Sequence, residues 1–468
     1  MKARWLIAMT LVSFGANAAD ALRDVADVQR ELVETAFKSN LALQRESIDV
    51  DRASAALDQA RARFLPELAF EARYTRADGG RELVFPAGSL LNPAYQTLNE
   101  LLVGQGQPPR FGQLTDPSIA FQRTHEQDTR VTLRQPLYQP AIPAAVAAQR
   151  QLLRGAEYQR VVHGRQLYHD VSIGYLRHLK ALRAARIVAS AGEVLDENVR
   201  VTESLFRNGR ITEDQVLRAR AERLAVTQQQ REARDAIAQS RRYVNFLLNR
   251  ALDTPLEDAR IEVSTTAAPD AGPLRAGHGA RRAELARLDA LESAAQAQVR
   301  VARAALKPSL ALGIDAGTQG ENYRFGPGYN FIAGSLVLSW KFFDGGARRS
   351  ALDQARLAAR SASLAREELA LAIALEVETA ADALSTSIDS LDTARAREDA
   401  AGAALRIAGR KRDEGAISQV EFMDARQSLT AAALNLNLTQ FDLLERRAEL
   451  ERATGTAELP ALPVETSR

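Results

Sequence analysis

The stretch "ARAALKPSLALGIDAG" at 302–317 changes period at a proline. To the left of Pro308 lies an alanine-rich, charged run with helical character. To the right, Leu310, Leu312, Ile314 and Ala316 alternate with Ser309, Ala311, Gly313 and Asp315, which is the two-residue period of a strand. Proline cannot continue a helix, pushes the preceding residue into extended geometry, and sits well at a strand start. The stretch "ARARFLPELAFEA" at 60–72 makes the same switch. After Pro66, Leu68, Phe70, Ala72 and Tyr74 alternate with Glu67, Ala69, Glu71 and Arg73.

Working outward from these two sites, the chain reads as a duplication. "VTLRQPLYQPA" at 131–141 corresponds to "LVLSWKFFDGG" at 336–346, and "NGRITEDQVLRAR" at 208–220 to "EGAISQVEFMDAR" at 414–426. Each half has the order helix, strand, loop, strand, very long helix, tight turn, helix. Leu336, Leu338, Trp340 and Phe342 form a third alternating run; Val131, Leu133 and Leu137 form a fourth, less regular one. The first half is longer because of a Pro- and Gly-containing segment at 76–128, which reads as a long loop. Within it "NPAYQTLNELL" at 92–102 predicts a short helix opening at Asn92 and Pro93.

Each alternating run has the length of a tilted bilayer-crossing strand, about nine to eleven residues. Aromatics Tyr74, Tyr138, Trp340, Phe342 and Phe343 fall near the run ends, as in interfacial girdles. Four strands cannot close a barrel, and an open edge in lipid costs several kcal/mol per unpaired backbone group. Strands that face lipid therefore require the chain to oligomerise, and three copies supply twelve.

The run Ala347–Arg412 has no proline, and Ala144–Arg207 is nearly as uninterrupted. At 1.5 Å per residue each predicts a rod of roughly 100 Å, which suits a coiled coil. Phe422, Leu429, Leu436, Leu443 and Leu450 keep a seven-residue step, as do Leu357, Leu364 and Leu371. Gly209 and Gly415 end the rods. Thr212 with Gln215, and Ser418 with Glu421, predict two capping boxes that open the following helices. Each half thus carries an antiparallel helical hairpin with a tight tip.

Composition narrows the function. There is no cysteine, so disulfides, thiolate metal sites and cysteine nucleophiles are excluded. Residues 1–18 read as a secretory signal: Lys2 and Arg4, the apolar "WLIAMTLVSF", then Ala16-Asn17-Ala18. Its removal leaves 59 basic against 59 acidic residues, so charge gives no argument for nucleic acid. No later stretch predicts a transmembrane helix. His163, His169 and His178 are six and nine apart, not the i, i+4 spacing of metal ligands, and read as surface or groove residues. No phosphate loop, catalytic triad or metal constellation is present in the sequence, so neither an enzyme nor a cofactor is expected.

In this order, and twice over, these pieces resemble the TolC family of outer-membrane efflux proteins. The pieces that carry the resemblance are Pro66–Leu68 and Pro308–Leu310, "LSWKFFDGG" at 338–346, and the two Gly-x-Ile-[Thr/Ser] tips followed by "AR". "LRQPLYQPA" departs from the pattern by lacking the Asp-Gly-Gly ending. The resemblance implies a mixed α/β, mostly α membrane protein. In it, a homotrimer forms a twelve-stranded transmembrane β-barrel continued by a long α-helical coiled-coil barrel in the periplasm. After the signal, residues 19–252 would be the first repeat, with strands 65–75 and 129–138, an extracellular loop 76–128, and a hairpin 144–252. Residues 253–280 would be an equatorial linker. The second repeat, 281–455, would hold strands 308–317 and 334–343, a loop 318–333, and a hairpin 347–454, before a tail at 456–468.

The resemblance further implies an exit duct for an inner-membrane transporter, joined through a periplasmic adaptor that grips the tips Gly209, Arg210, Ile211, Thr212 and Gly415, Ala416, Ile417, Ser418. Glu421 and Asp424 match the spacing of an acidic ring at the periplasmic aperture, although Glu421 is equally read as the capping-box acid. Two other readings fit the sequence: the duct of a type I protein-secretion system, and a soluble periplasmic coiled-coil scaffold.

Overall fold

The computed structural model describes residues 22–121, 123–261 and 282–461. The signal at 1–18, most of the expected linker at 253–280 and the end of the tail lie outside these residues. Among the described residues the chain runs α1 (Val25–Ser39), α2 (Leu41–Ala62), β1 (Glu67–Arg76), β2 (Glu82–Val84), α3 (Ala87–Gly104), β3 (Ser118–Ala120), β4 (His125–Tyr138), α4 (Ala141–Arg207) and α5 (Glu213–Leu247). It continues through α6 (Ala283–Ala304), β5 (Ser309–Gly320), β6 (Asn330–Ser339), α7 (Ala347–Asp413) and α8 (Gln419–Thr454). The duplication is visible in the lengths: α4 and α7 have 67 residues each, α5 and α8 have 35 and 36, and α2 and α6 have 22 each.

Contacts divide the chain into two compact units. One comprises residues 56–149 and 295–359, the other the remaining described residues. The first unit holds a four-stranded antiparallel sheet in the order β1-β4-β5-β6, with β1 and β6 at its edges, and a small β2–β3 pair. Register places the apolar positions of all four strands on one face. Leu68 opposes Leu133, Phe70 opposes Val131, Leu133 opposes Ile314, and Leu312 opposes Leu336. On the edge strands this face is bare, with Leu68 and Phe70 68% and 70% exposed and Ile332 and Leu338 exposed as well, while Leu133, Leu312 and Ile314 on the inner strands are half-buried.

Side chains on the opposite face are polar and charged. Arg130 pairs with Glu71 and with Asp128, and Asp128 also meets Arg73. Because side chains alternate across a strand, a one-residue slip would exchange these two faces. The strand boundaries differ from the sequence reading at several places: β5 runs on to Gly320 and β6 starts at Asn330, both inside the segment read as the loop 318–333. β4 begins at His125, inside the segment read as loop, because Gln127 to Thr129 find ladder partners at Thr318 to Gly320. β6 ends at Ser339, so Trp340, Phe342 and Phe343 lie past the strand, with the Trp340 indole N–H donating to the Leu306 carbonyl.

The segment 76–128 is also more structured than a loop. It contains β2, β3 and α3, and α3 opens at Ala87 rather than Asn92, so that Pro93 sits inside the helix. The N–H groups that open it, those of Gly88 and Ser89, are satisfied by Asp116 Oδ1 from 27 and 28 residues away. A distant cap of this kind leaves no local sequence signal.

The second unit is helical. Its core gathers Phe37 and Val33 of α1, Val171 and Tyr175 of α4, Val244 of α5 and Phe441 of α8. Tyr175 is fully buried, and its hydroxyl donates to the Glu257 carbonyl. Burial, with Glu257 and Asp258 nearby, pushes that phenol well above its usual range. The heptad of α8 works as expected at its C-terminal end, where Leu443 and Leu450 pack with Leu384 and Leu391 of α7. Leu357, Leu364 and Leu371 of α7 stay exposed instead. Of the histidines read as surface or groove residues, His178 is buried: its Nδ1 meets Ser240 Oγ at 3.1 Å, and burial lowers its basicity.

One polar knot ties three helices together. Arg282, 5% exposed, donates to Glu376 of α7, Glu284 of α6 and the Ala453 carbonyl at the end of α8. Arg452 holds the other oxygen of Glu376. Burial works against the Arg282 charge, and the hydrogen bonds and charges of Glu284 and Glu376 overcome it. Breaking a buried ion pair from one side costs roughly 3 kcal/mol or more. Arg282→Met should therefore lower stability by about 3 kcal/mol, measured by denaturant unfolding of the helical fold, while an exposed i,i+3 pair such as Arg61–Asp58 should be near neutral on removal.

Candidate functional site

The helical unit ends in two tips built on the same turn. In the first, Gly209 adopts φ +64, its N–H reaches the Phe206 carbonyl, and the Arg210 N–H reaches Leu205. In the second, Gly415 adopts φ +71, its N–H reaches Arg412, and the Ala416 N–H reaches Lys411. This is the Schellman pairing that satisfies the last carbonyls of a helix and demands a left-handed residue. Gly209, Arg210, Thr212, Gly415, Ala416 and Ser418 are exposed, while Ile211 and Ile417 are half-buried. Each tip therefore offers a small, polar, backbone-rich surface steadied by one isoleucine.

The tips differ in how the next helix starts. Ser418 accepts from the Glu421 N–H, and Glu421 Oε2 accepts from the Ser418 N–H at 2.8 Å, completing the capping box. Thr212 occupies the N-cap of α5 but its side chain makes no cap bond, so the first expected capping box is absent. Its partner position holds Gln215, whose own N–H bonds the Thr212 carbonyl at 3.3 Å. A neutral amide gains less than a carboxylate at a helix N-terminus, where the dipole favours negative charge. The acids of that first turn, Glu213 and Asp214, supply the favourable charge without the reciprocal bonds. The second tip is braced further by Arg412, whose guanidinium lies 4.0 Å from the Phe422 ring centre.

Asp424 stands apart from the capping box. It lines a cleft of about 440 Å³ formed by α4, α5 and α8, with Asn198, Gln215, Arg218, Glu222 and Gln419. The Gln419 side-chain amide donates to Asn198 Oδ1 across it at 2.8 Å. Burial, opposed by Arg218 and reinforced by Asp424, pushes the Glu222 carboxyl above the usual range. Glu222 and Arg218 are members of the site that the sequence reading missed. A signal for Arg218 existed: at the offset relating the two tips it occupies the position of Asp424, so the duplication sets a cation against the anion across the cleft. Glu222, one turn on, has no acidic counterpart at that offset.

Hydrogen bonds also run along the α4–α8 contact away from the tips: Arg426 to the Ser190 carbonyl, Asn437 to the Lys180 carbonyl, and Lys180 to Glu445. Among the described residues there is no cluster suited to a metal ion, and no helix is long and apolar enough to cross a membrane.

The duplicated chain, with its long helical hairpins, tight tips and strand quartet, is similar in fold to several solved outer-membrane channels. The structure resembles the OprN outer-membrane channel with TM-score 0.76 at 19% identity, over 92% of this chain and 90% of that one. It resembles the Campylobacter jejuni CmeC outer-membrane channel with TM-score 0.75 at 17% identity, over 97% and 94%. The open state of the Neisseria gonorrhoeae MtrE outer-membrane channel gives TM-score 0.72 at 18% identity, over 92% and 88%. No curated protein matches the chain. In sequence, residues 279–456 match the outer membrane efflux protein family, so the second repeat carries the family pattern and the fold extends the likeness over nearly the whole chain.

Replacing a bonded N-cap Ser or Thr by Ala costs about 1 kcal/mol. Ser418→Ala should therefore destabilise by about that much, whereas Thr212→Ala, with no cap bond to lose, should cost clearly less. Thermal unfolding of the two variants side by side checks the difference.

Proposed function

We propose that this chain is the outer-membrane exit duct of a tripartite efflux system. In this reading three copies close a barrel of twelve strands, and the helical hairpins carry the conduit into the periplasm. The observation that carries the reading is the four-stranded sheet, apolar on one face and bare there along its edge strands, charged on the other, and unpaired at β1 and β6. A bare leucine or phenylalanine forgoes about 1.5–3 kcal/mol of burial in water, and the sheet sets out Leu68, Phe70, Leu336 and Leu338 in this state. Lipid on that face and a neighbour's β6 against β1 would satisfy both demands at once. The charged face, with Arg130, Glu71, Arg73 and Asp128, would then line the water-filled interior.

The duct works passively. Energy comes from an inner-membrane transporter, and a periplasmic adaptor would hold the exposed tips at Gly209–Thr212 and Gly415–Ser418. At the aperture, three copies of Glu421 and Asp424 would place six carboxylates near the axis, where like charges attract cations. The mass of the detergent-extracted protein, with detergent subtracted by light scattering, tests the assembly: three chain masses are expected, and a soluble monomer would end the duct reading in favour of a scaffold. Loss of the chain should bring sensitivity to toxic small molecules or metals; a missing secreted protein instead would mark a type I secretion duct. Asp424→Asn combined with Glu421→Gln removes the charge while Gln can keep the capping box. In planar bilayers this pair should raise conductance and abolish block by divalent cations; wild-type conductance and block would remove Glu421 and Asp424 from the aperture.

A further inference from the structure

The connection between β1 and β4 holds a cavity of about 450 Å³ between α3 and the stretch 110–116. From α3 come Asn92, Tyr95, Gln96, Asn99 and Glu100, which recur every three or four residues and so share one side of the helix. Phe111 and Gln113 supply the facing wall.

The walls are fixed by bonds within the segment. Asn99 Oδ1 accepts from the N–H groups of Arg110 and Phe111, and its amide donates to the Phe111 carbonyl. Asn92 clasps Leu114 in the same reciprocal way, at 2.8 Å in both directions. Tyr95 packs on Phe111 with ring centres 5.2 Å apart. Both asparagines are thus committed to the backbone. The side chains of Gln96, Glu100 and Gln113 are exposed and make no hydrogen bond or ion pair among the described residues. A cavity with fixed walls and free polar ends loses little order on binding.

The lining selects a ligand by its chemistry. No Lys or Arg lines the cavity, so an anion would meet only the like charge of Glu100. One carboxylate without a histidine falls short of a metal's ligand set. A purely apolar molecule would dehydrate the carboxylate and both glutamine amides without pairing them. An organic cation would use Glu100 and the rings and leave the glutamines without a role. We propose that the cavity binds a neutral saccharide, a pyranose ring resting its C–H face on Tyr95 and Phe111 with its hydroxyls on Gln96, Glu100 and Gln113. An aromatic face is electron-rich and attracts the C–H hydrogens. The amides donate and accept while the carboxylate accepts, which matches neighbouring hydroxyls. The cavity lies within one segment of one chain, and the inference stands apart from the duct reading.

The full chain would be extracted into a detergent that contains no sugar and mixed with the methyl glycosides of glucose, galactose, mannose and N-acetylglucosamine. Saturation-transfer NMR reads which ligand protons touch the protein. Transfer to at least one glycoside is expected, strongest at its ring C–H protons. Gln96→Ala with Gln113→Ala, two exposed side chains that hold nothing in the fold, should weaken that binding at least tenfold by calorimetric titration. A free sugar and a sugar unit of a surface glycan share this chemistry, and core oligosaccharide released from lipopolysaccharide separates them. Tighter binding of the oligosaccharide would mark the glycan as the source, and equal binding the free sugar. A chain that binds none of these saccharides would overturn the inference, as would binding that the double variant leaves unchanged. So would a chain that ignores the glycosides but binds tetramethylammonium and loses it in Glu100→Gln, which would make the site a cation cage.

Discussion

The unsatisfied backbone at the two edges of one small sheet governs everything else in this molecule. Among the described residues, β1 and β6 are the edge strands of the sheet, each with one side unpaired, and the same sheet bares apolar side chains on its edge strands. In water such an edge is a template for aggregation. In lipid it is forbidden unless the edges meet. In the duct reading proposed above, a strand quartet with this patterning would be a fragment of a closed surface that further copies complete. The long helices have alanine-rich cores of their own, supplemented by ion pairs and side chain-to-backbone bonds.

That mixture shows in how the helical unit is held. Besides the cluster around Tyr175, Phe37 and Phe441 and the leucine seam between α7 and α8, polar devices join the helices: the Arg282–Glu376–Arg452 knot, the Gln419–Asn198 and Asn437–Lys180 bonds, and Arg220 with Glu203. A long helix in a hairpin buries the stripe that faces its neighbour and leaves its other faces open. The exposed Leu357, Leu364 and Leu371 keep the seven-residue step and are left uncovered among the described residues. Their spacing was legible in sequence; their exposure was not, because periodicity says which face is sticky and not whose face it meets.

Other features divided along the same line. The period switch at Pro66 and Pro308, the paired glycine tips and the equal helix lengths were legible because each is a local rule applied twice. α3 was half-legible: its start was misplaced because Asp116 caps it from across the loop and Pro93 is tolerated within the helix. The first capping box failed although Thr212 and Gln215 have the right spacing, since spacing does not fix the rotamers that close the reciprocal bonds. Glu222 escaped notice because its environment is made by three helices distant in sequence. Gln135 and Pro136 sit beside the register irregularity of β4, which explains why that strand gave the least regular alternation.

The inequality of the two tips has a consequence for stoichiometry. Gly209 and Gly415 give both turns one backbone shape, while only the second adds a carboxylate locked in a capping box and a cation stacked on Phe422. A ring made of three such chains is sixfold in outline and threefold in chemistry, with two kinds of tip in alternation. A partner that reads backbone shape alone could bind six times around the ring. One that reads the charge and the aromatic face could bind three times, and its copies would be held in a fixed phase relative to the seams between chains.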